Sequence, residues 1–217
     1  MRSSNLRNIF SRQGTPQVVR NCGPIFQRLV RPKSCSPLVS DILEFDHDDY
    51  TDDFQWTSPR SSTIPDVLRE CIQATFESDY EAISISHFTI AGRTYSTSTQ
   101  HRGNSQILLK SGIPGHIIPA RIDYITQVTI SGDKDLVIPY IAARKYQPLD
   151  LADDPFRAYP CLQAGLWSEN LSDLGLYPLD VIETHFASLP VSWEDRCMMV
   201  VISLNRVSVL IKLFESF

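Results

Sequence analysis

The sequence of 217 residues has no CxxC pair among its five cysteines (Cys22, Cys35, Cys71, Cys161 and Cys197), and their number is odd. That excludes a disulfide framework and a cysteine-bound zinc site, and a reducing compartment is the simplest setting. The histidines His47, His87, His101, His116 and His185 form no HxH, HxxxH or HExxH spacing, so no metal motif appears. There is no P-loop and no GxGxxG, which leaves nucleotide binding without support. A GxSxG elbow is missing, so scattered Ser, His and Asp do not add up to a triad. No feature predicts a lowered thiol pKa for Cys161 or Cys197, and Cys197 enters an apolar run that reads as core. No stretch of 18 apolar residues occurs, so no transmembrane helix is predicted, and the first residues lack the apolar core of a secretory signal. We therefore expect no enzyme, no cofactor and no metal.

Acidic residues are missing from one part of the chain only. Residues 1–40 carry seven basic residues and no Asp or Glu, whereas the chain as a whole has a net charge of −5. A basic arm on an acidic body is expected, the arm able to attract nucleic acid phosphates without sequence preference and the body repelling them. The arm shares its Arg-rich, acid-free composition with mitochondrial presequences. However, Pro16, Pro24, Pro32 and Pro37 interrupt any long amphipathic helix, so it reads as disordered. Nucleus or cytoplasm is the expected location, ahead of the mitochondrion. An acidic run follows from Asp41 to Asp53, without the turn glycine that a calcium loop needs, and reads as a solvated linker able to pair with the arm.

Four segments emerge: a disordered basic-then-acidic arm (1–62), an amphipathic helix (63–82), a β module (83–206) and an apolar appendage (207–217). The helix is predicted from Val67, Leu68, Cys71, Ile72, Thr75, Phe76 and Tyr80 at helical spacing, with Thr63 as N-cap and Cys71 on the buried face. From residue 83 the period becomes two. Strands are predicted over 83–90, 94–98, 105–110, 120–130, 136–146 and 198–204, joined by short turns and therefore antiparallel. Residues 147–178 read as turn-rich with a short helix or strand at 161–167, and 178–190 fit helix or strand equally. Such sheets close into barrels to protect their edges. The expected fold is mainly β: a small antiparallel SH3/BAH-like barrel with one preceding helix.

One polar stretch stands out. Tyr95, Ser96, His101, Arg102, Asn104 and Ser105 combine hydroxyls, an amide and basic groups beside a turn, as contacts to phosphate or peptide backbone require. The competing reading is a polar strand face with cross-strand Thr/Ser pairs. His185 reads as a satisfied structural histidine. The aromatics Phe156, Tyr159, Trp167, Tyr177, Phe186 and Trp193 read as core more readily than as a recognition cage. Asn170-Leu171-Ser172 matches a glycosylation sequon, without weight in the absence of a secretory signal.

The series His87-Phe88, Gly92, Tyr95-Ser96, His101, Gly103-Asn104-Ser105, Ile118-Pro119, Asp154-Pro155-Phe156, Tyr159-Pro160, Leu166-Trp167-Ser168, His185-Phe186 and Val200–Arg206 resembles a C-terminal region of transposon-encoded proteins of mushroom-forming fungi, similar to CACTA (En/Spm-type) transposases. The likeness covers residues 87–206. In that family the nuclease core lies upstream, so the resemblance implies a fragment or domesticated remnant without nuclease chemistry. The pattern also resembles bromo-adjacent homology (BAH) domains, which implies binding to chromatin proteins or nucleosomes. The sequence leads to an expectation of a non-enzymatic, transposon-derived module that binds protein or chromatin. Its alternatives are a small hydrolase using a Ser or Cys nucleophile with His, and a degenerate product without selected function.

Overall fold

In a computed structural model of the chain, the described residues are 9–10, 12–24, 55–56, 64–76, 80–90, 92–113, 116–130, 136–149, 154–193 and 196–204. The acidic run, Thr63, Cys35 and the 207–217 appendage lie outside them.

A short helix α1 (Gln17–Asn21) opens the described chain. Strand β1 (Gln55–Trp56) follows, then helix α2 (Asp66–Thr75). Next come β2 (Tyr80–Ile85), β3 (His87–Ile90) and β4 (Arg93–Ser96). A single helical turn, α3 (Arg102–Ser105), leads into β5 (Gln106–Lys110). The long strands β6 (Ile117–Ile130) and β7 (Leu136–Pro148) make a hairpin. Two 3-10 turns, Pro155–Ala158 and Pro160–Leu162, precede β8 (Ala164–Pro178). Strands β9 (Ile182–Trp193) and β10 (Arg196–Ser203) complete the set.

Six of these strands close a ring in the order β6-β5-β9-β10-β8-β7 and back to β6, every pairing antiparallel. Closure removes the free edges that a small open sheet would expose. The other half of β6 also pairs with β2, extending the wall beyond the ring. β1, β3 and β4 form a separate small sheet, with Gly92 (φ +69°) supplying the left-handed turn residue between β3 and β4. The ring has six strands and a second small sheet beside it.

Alternation along the strands decides what fills and what wraps the ring. Leu108, Tyr146, Phe186, Met199 and Val201 come from four strands and meet inside, with Trp167 and Leu171 of β8 packed against them. The intervening residues face outward and are covered in two places. Ile107, Leu109, Ile122, Ile141 and Ala143 pack under Phe88 and Tyr95 of the small sheet. Met198, Val200 and Ile202 pack under Val18, Val19 and Cys22 of the α1 segment and under Phe156 and Leu162. Because β10 is covered on both faces, its run Met198–Ile202 is apolar without alternation. Helix α2 sets Leu68 and Ile72 onto Val128 and Ala142, beside Tyr124, Tyr140, Leu174 and Leu176.

Several sequence expectations need correcting. Residues 1–62 are not wholly a disordered arm: Val18, Val19 and Cys22 are buried against β10, and burial pushes the Cys22 thiol up to about 11. Proline does not prevent this, because Pro16 sits at the N-cap of α1, where its missing N–H costs nothing. Helix α2 is shorter than 63–82. Pro65 occupies its N-cap without a side-chain cap, Phe76 turns extended, and Tyr80 already pairs with Ile130. Val67 stands out in solvent rather than on the buried face, and Ser86 splits the expected 83–90 strand into β2 and β3 of different sheets. Residues 164–178 form one long strand despite their polar middle, and 182–193 another. Cys197 is exposed, not core; Cys71 is half-buried, its thiol donating to the Leu174 carbonyl at 3.6 Å.

Candidate functional site

The six residues singled out as a binding stretch do not form a surface site. Tyr95 is buried and stacked between Phe88 (5.0 Å between ring centroids) and His185 (4.3 Å). Ser96 is buried with its hydroxyl donating to the His101 carbonyl, and Ser105 is buried donating to the Arg102 carbonyl. His101 caps α3: its Nδ1 accepts from the Asn104 N–H at 3.1 Å. Tyr95, Ser96 and Ser105 are core and local turn chemistry; of the six, Arg102 alone keeps an exposed, uncommitted head among the described residues, with Asn104 half-buried.

His185 is structural, as its setting shows. Its Nδ1 lies 3.2 Å from the Gln106 carbonyl, and the ring stacks on Tyr95. Burial holds its pKa below the ordinary histidine value; the carbonyls of Gln106 and Thr94 oppose that shift, and nearby Arg93 adds to it. The unfolded chain therefore binds the proton first as pH falls below about 6.5. Stability from this group is present above that pH and is lost as pH drops through the folded pKa. Between about pH 7 and pH 5 the melting temperature of the wild type should fall more steeply than that of His185→Gln, as read by scanning calorimetry; parallel profiles would refute the assignment.

A concavity of about 670 Å³ lies where the ring interior opens toward the two 3-10 turns. Its floor is apolar: Leu108 of β5, Pro119 of β6, Trp167 of β8 and Val201 of β10. These come from strands that meet only when the ring closes. Its rim carries His116, Asp154, Arg157 and Glu183. Asp154 owes its position to a cap: one carboxylate oxygen accepts from the Phe156 N–H at 2.9 Å and the other from the Leu166 N–H at 3.3 Å.

One hydroxyl–imidazole pair stands at this rim. His116 Nδ1 and the Ser111 hydroxyl are 2.9 Å apart, and the same hydroxyl accepts from the Ile113 N–H at 3.3 Å. His116 is exposed, and the pair closes the loop between β5 and β6. Neither partner is legible from the sequence as a nucleophile or base. Among the aromatic candidates, Phe156 and Phe186 are core, Tyr159 and Tyr177 pack against core clusters, Trp167 alone faces the cavity, and the Trp193 side chain lies outside the described residues.

Among the described residues no group of three metal-ligating side chains comes together, and no helix is long and apolar enough to cross a membrane. The chain matches no family model, no curated protein and no solved structure.

Proposed function

We propose that this chain is a non-enzymatic interaction module whose barrel mouth receives a basic segment of a protein partner, such as chromatin presents. The observation that carries the reading is the mouth itself: an apolar floor with an indole on one side, and a rim on which the carboxylates of Asp154 and Glu183 outnumber the guanidinium of Arg157. A Lys or Arg side chain suits such a site, its alkyl stem on Leu108 and Val201 and its charge near Trp167 and the carboxylates. Charge points the same way. Residues 41–217 hold 13 of the 20 basic residues and all 25 acidic ones, 13 − 25 = −12, which steers basic partners toward the body. The reading keeps the SH3/BAH-like likeness of the barrel and the transposon ancestry as parts of the proposal, both resting on the sequence resemblance. The basic residues of the 1–40 stretch add non-specific affinity for nucleic acid.

The test is selection from a displayed random-peptide library, followed by anisotropy titration of the enriched peptides. Basic sequences should be enriched, and Trp167→Ala should weaken them roughly thirtyfold, the effect of losing an anchor worth about 2 kcal/mol. The reading fails if no class of peptide is enriched, or if the enriched peptides bind Trp167→Ala unchanged.

A second reading has one observation in its favour, the Ser111–His116 pair at 2.9 Å. A hydrolase built on it would cleave a p-nitrophenyl ester above the buffer rate and lose that activity in Ser111→Ala.

A further inference from the structure

At the end of the ring interior away from the mouth lies a cluster of cations that the proposed function does not use. Gln106, Arg121 and Arg144 stand directly across from one another on β5, β6 and β7. Beside them β6 bulges: Ile122 and Tyr124 face consecutive residues of β7, which leaves Asp123 without a partner and re-aims its side chain. Asp123 accepts from Arg121 at 2.8 and 3.2 Å, from Arg144 at 3.0 Å and from the Ser98 hydroxyl at 3.2 Å. Tyr146 is buried nearby; burial raises its pKa, while the charge of Arg121, a hydrogen bond with Gln106 and the charge of Arg102 pull the other way.

Two guanidiniums thus share one carboxylate. Each guanidinium has five N–H donors. Arg121 commits Nε and Nη2 to Asp123; Arg144 commits Nε to Asp123 and Nη1 to the Ser172 carbonyl. Nη1 of Arg121 and Nη2 of Arg144 have no hydrogen bond among the described residues, and neither has any donor of Arg102. The side chains of Arg121 and Arg144 are 34% and 32% exposed while Asp123 is 13% exposed, so the carboxylate lies behind and the spare donors lie toward solvent. A carboxylate that orients two guanidiniums from behind leaves their forks fixed, which suits a planar or tetrahedral oxyanion with several acceptors.

We propose that Arg121 and Arg144, held by Asp123, form with Arg102 of α3 a binding site for a phosphomonoester dianion. The site is separate from the barrel mouth. It needs no nucleic acid: a phosphodiester carries one charge, and the acidic body opposes a long polyanion.

Calorimetric titration with inorganic phosphate and with O-phospho-L-serine, against chloride at matched ionic strength, tests it. Both should bind saturably. Equal affinities identify a free anion as the ligand, and tighter binding of O-phospho-L-serine identifies a phosphorylated side chain. Arg102→Ala should weaken binding at least tenfold with an unchanged melting temperature, because Arg102 is exposed and its guanidinium holds no hydrogen bond among the described residues. Trp167→Ala should leave it unaltered. The proposal is overturned by an absence of saturable heat with both anions, or by unchanged affinity in Arg102→Ala.

Discussion

Replacing Phe186 by alanine should lower the unfolding free energy by about 3–5 kcal/mol, read as a shift of the urea midpoint with little change in slope. Phe186 is the largest fully buried side chain of the ring interior and meets Tyr146 edge-on at 6.0 Å between ring centroids. The vacated space lies between strands whose backbones are tied on both sides by ladder hydrogen bonds, so the wall has little freedom to collapse into it. Leucine at the same place keeps most of the volume and should cost clearly less. Equal loss in the two variants would show that Phe186 acts through its ring contact with Tyr146 and not through packing volume.

Val19→Asp should be the second large effect, with a different signature. Val19 is fully buried against the β10 wall, and a carboxylate there has no partner among its neighbours Val18, Cys22, Met198 and Val200. The protein has an escape that it lacks at Phe186: α1 can undock. The cost is then bounded by the docking energy of the segment, about 3 kcal/mol for two valines at roughly 1.5 kcal/mol each. Undocking bares the part of Met198, Val200 and Ile202 that Phe156 and Leu162 leave uncovered, so the variant should bind the dye ANS while the barrel stays folded. A variant that unfolds globally without a dye-binding intermediate would show that α1 is integral to the barrel.

The contrast between these two sites marks what the sequence reveals and what it hides. Strands β5, β6, β7 and β10 were legible because their apolar residues repeat every two positions or run unbroken. The β6–β7 hairpin was legible because Ser131–Lys134 is turn chemistry between two such runs. Strand β8 was obscured: Ser168, Glu169, Asn170, Ser172 and Asp173 interrupt its apolar pattern, and its strand character comes from pairing with β7 and β10. Docking of α1 was hidden by composition, since five residues among prolines and arginines carry no periodic signal. They are ordered by a wall that exists only in the fold. The mouth could not be read at all, because Leu108, Pro119, Trp167 and Val201 are distant in sequence and share no motif. The arginine cluster failed for a related reason: the bulge that re-aims Asp123 is a property of the β6–β7 register. Of the polar stretch picked out in advance, Arg102 alone entered a candidate site, and it did so with partners from other strands.

The closing seam between β5 and β9, where Ile107 pairs with His185, has a consequence for the order in which the chain gains structure. The β6–β7 hairpin can form from neighbours alone, at small loop-closure cost. The seam joins residues far apart along the chain, and its entropy must be spent before the interior contacts of Phe186 and Leu108 repay it. Until then the ring is an open ribbon with two bare edges. The module is therefore most exposed to mispairing with its own copies late in folding, after its most local structure is already complete.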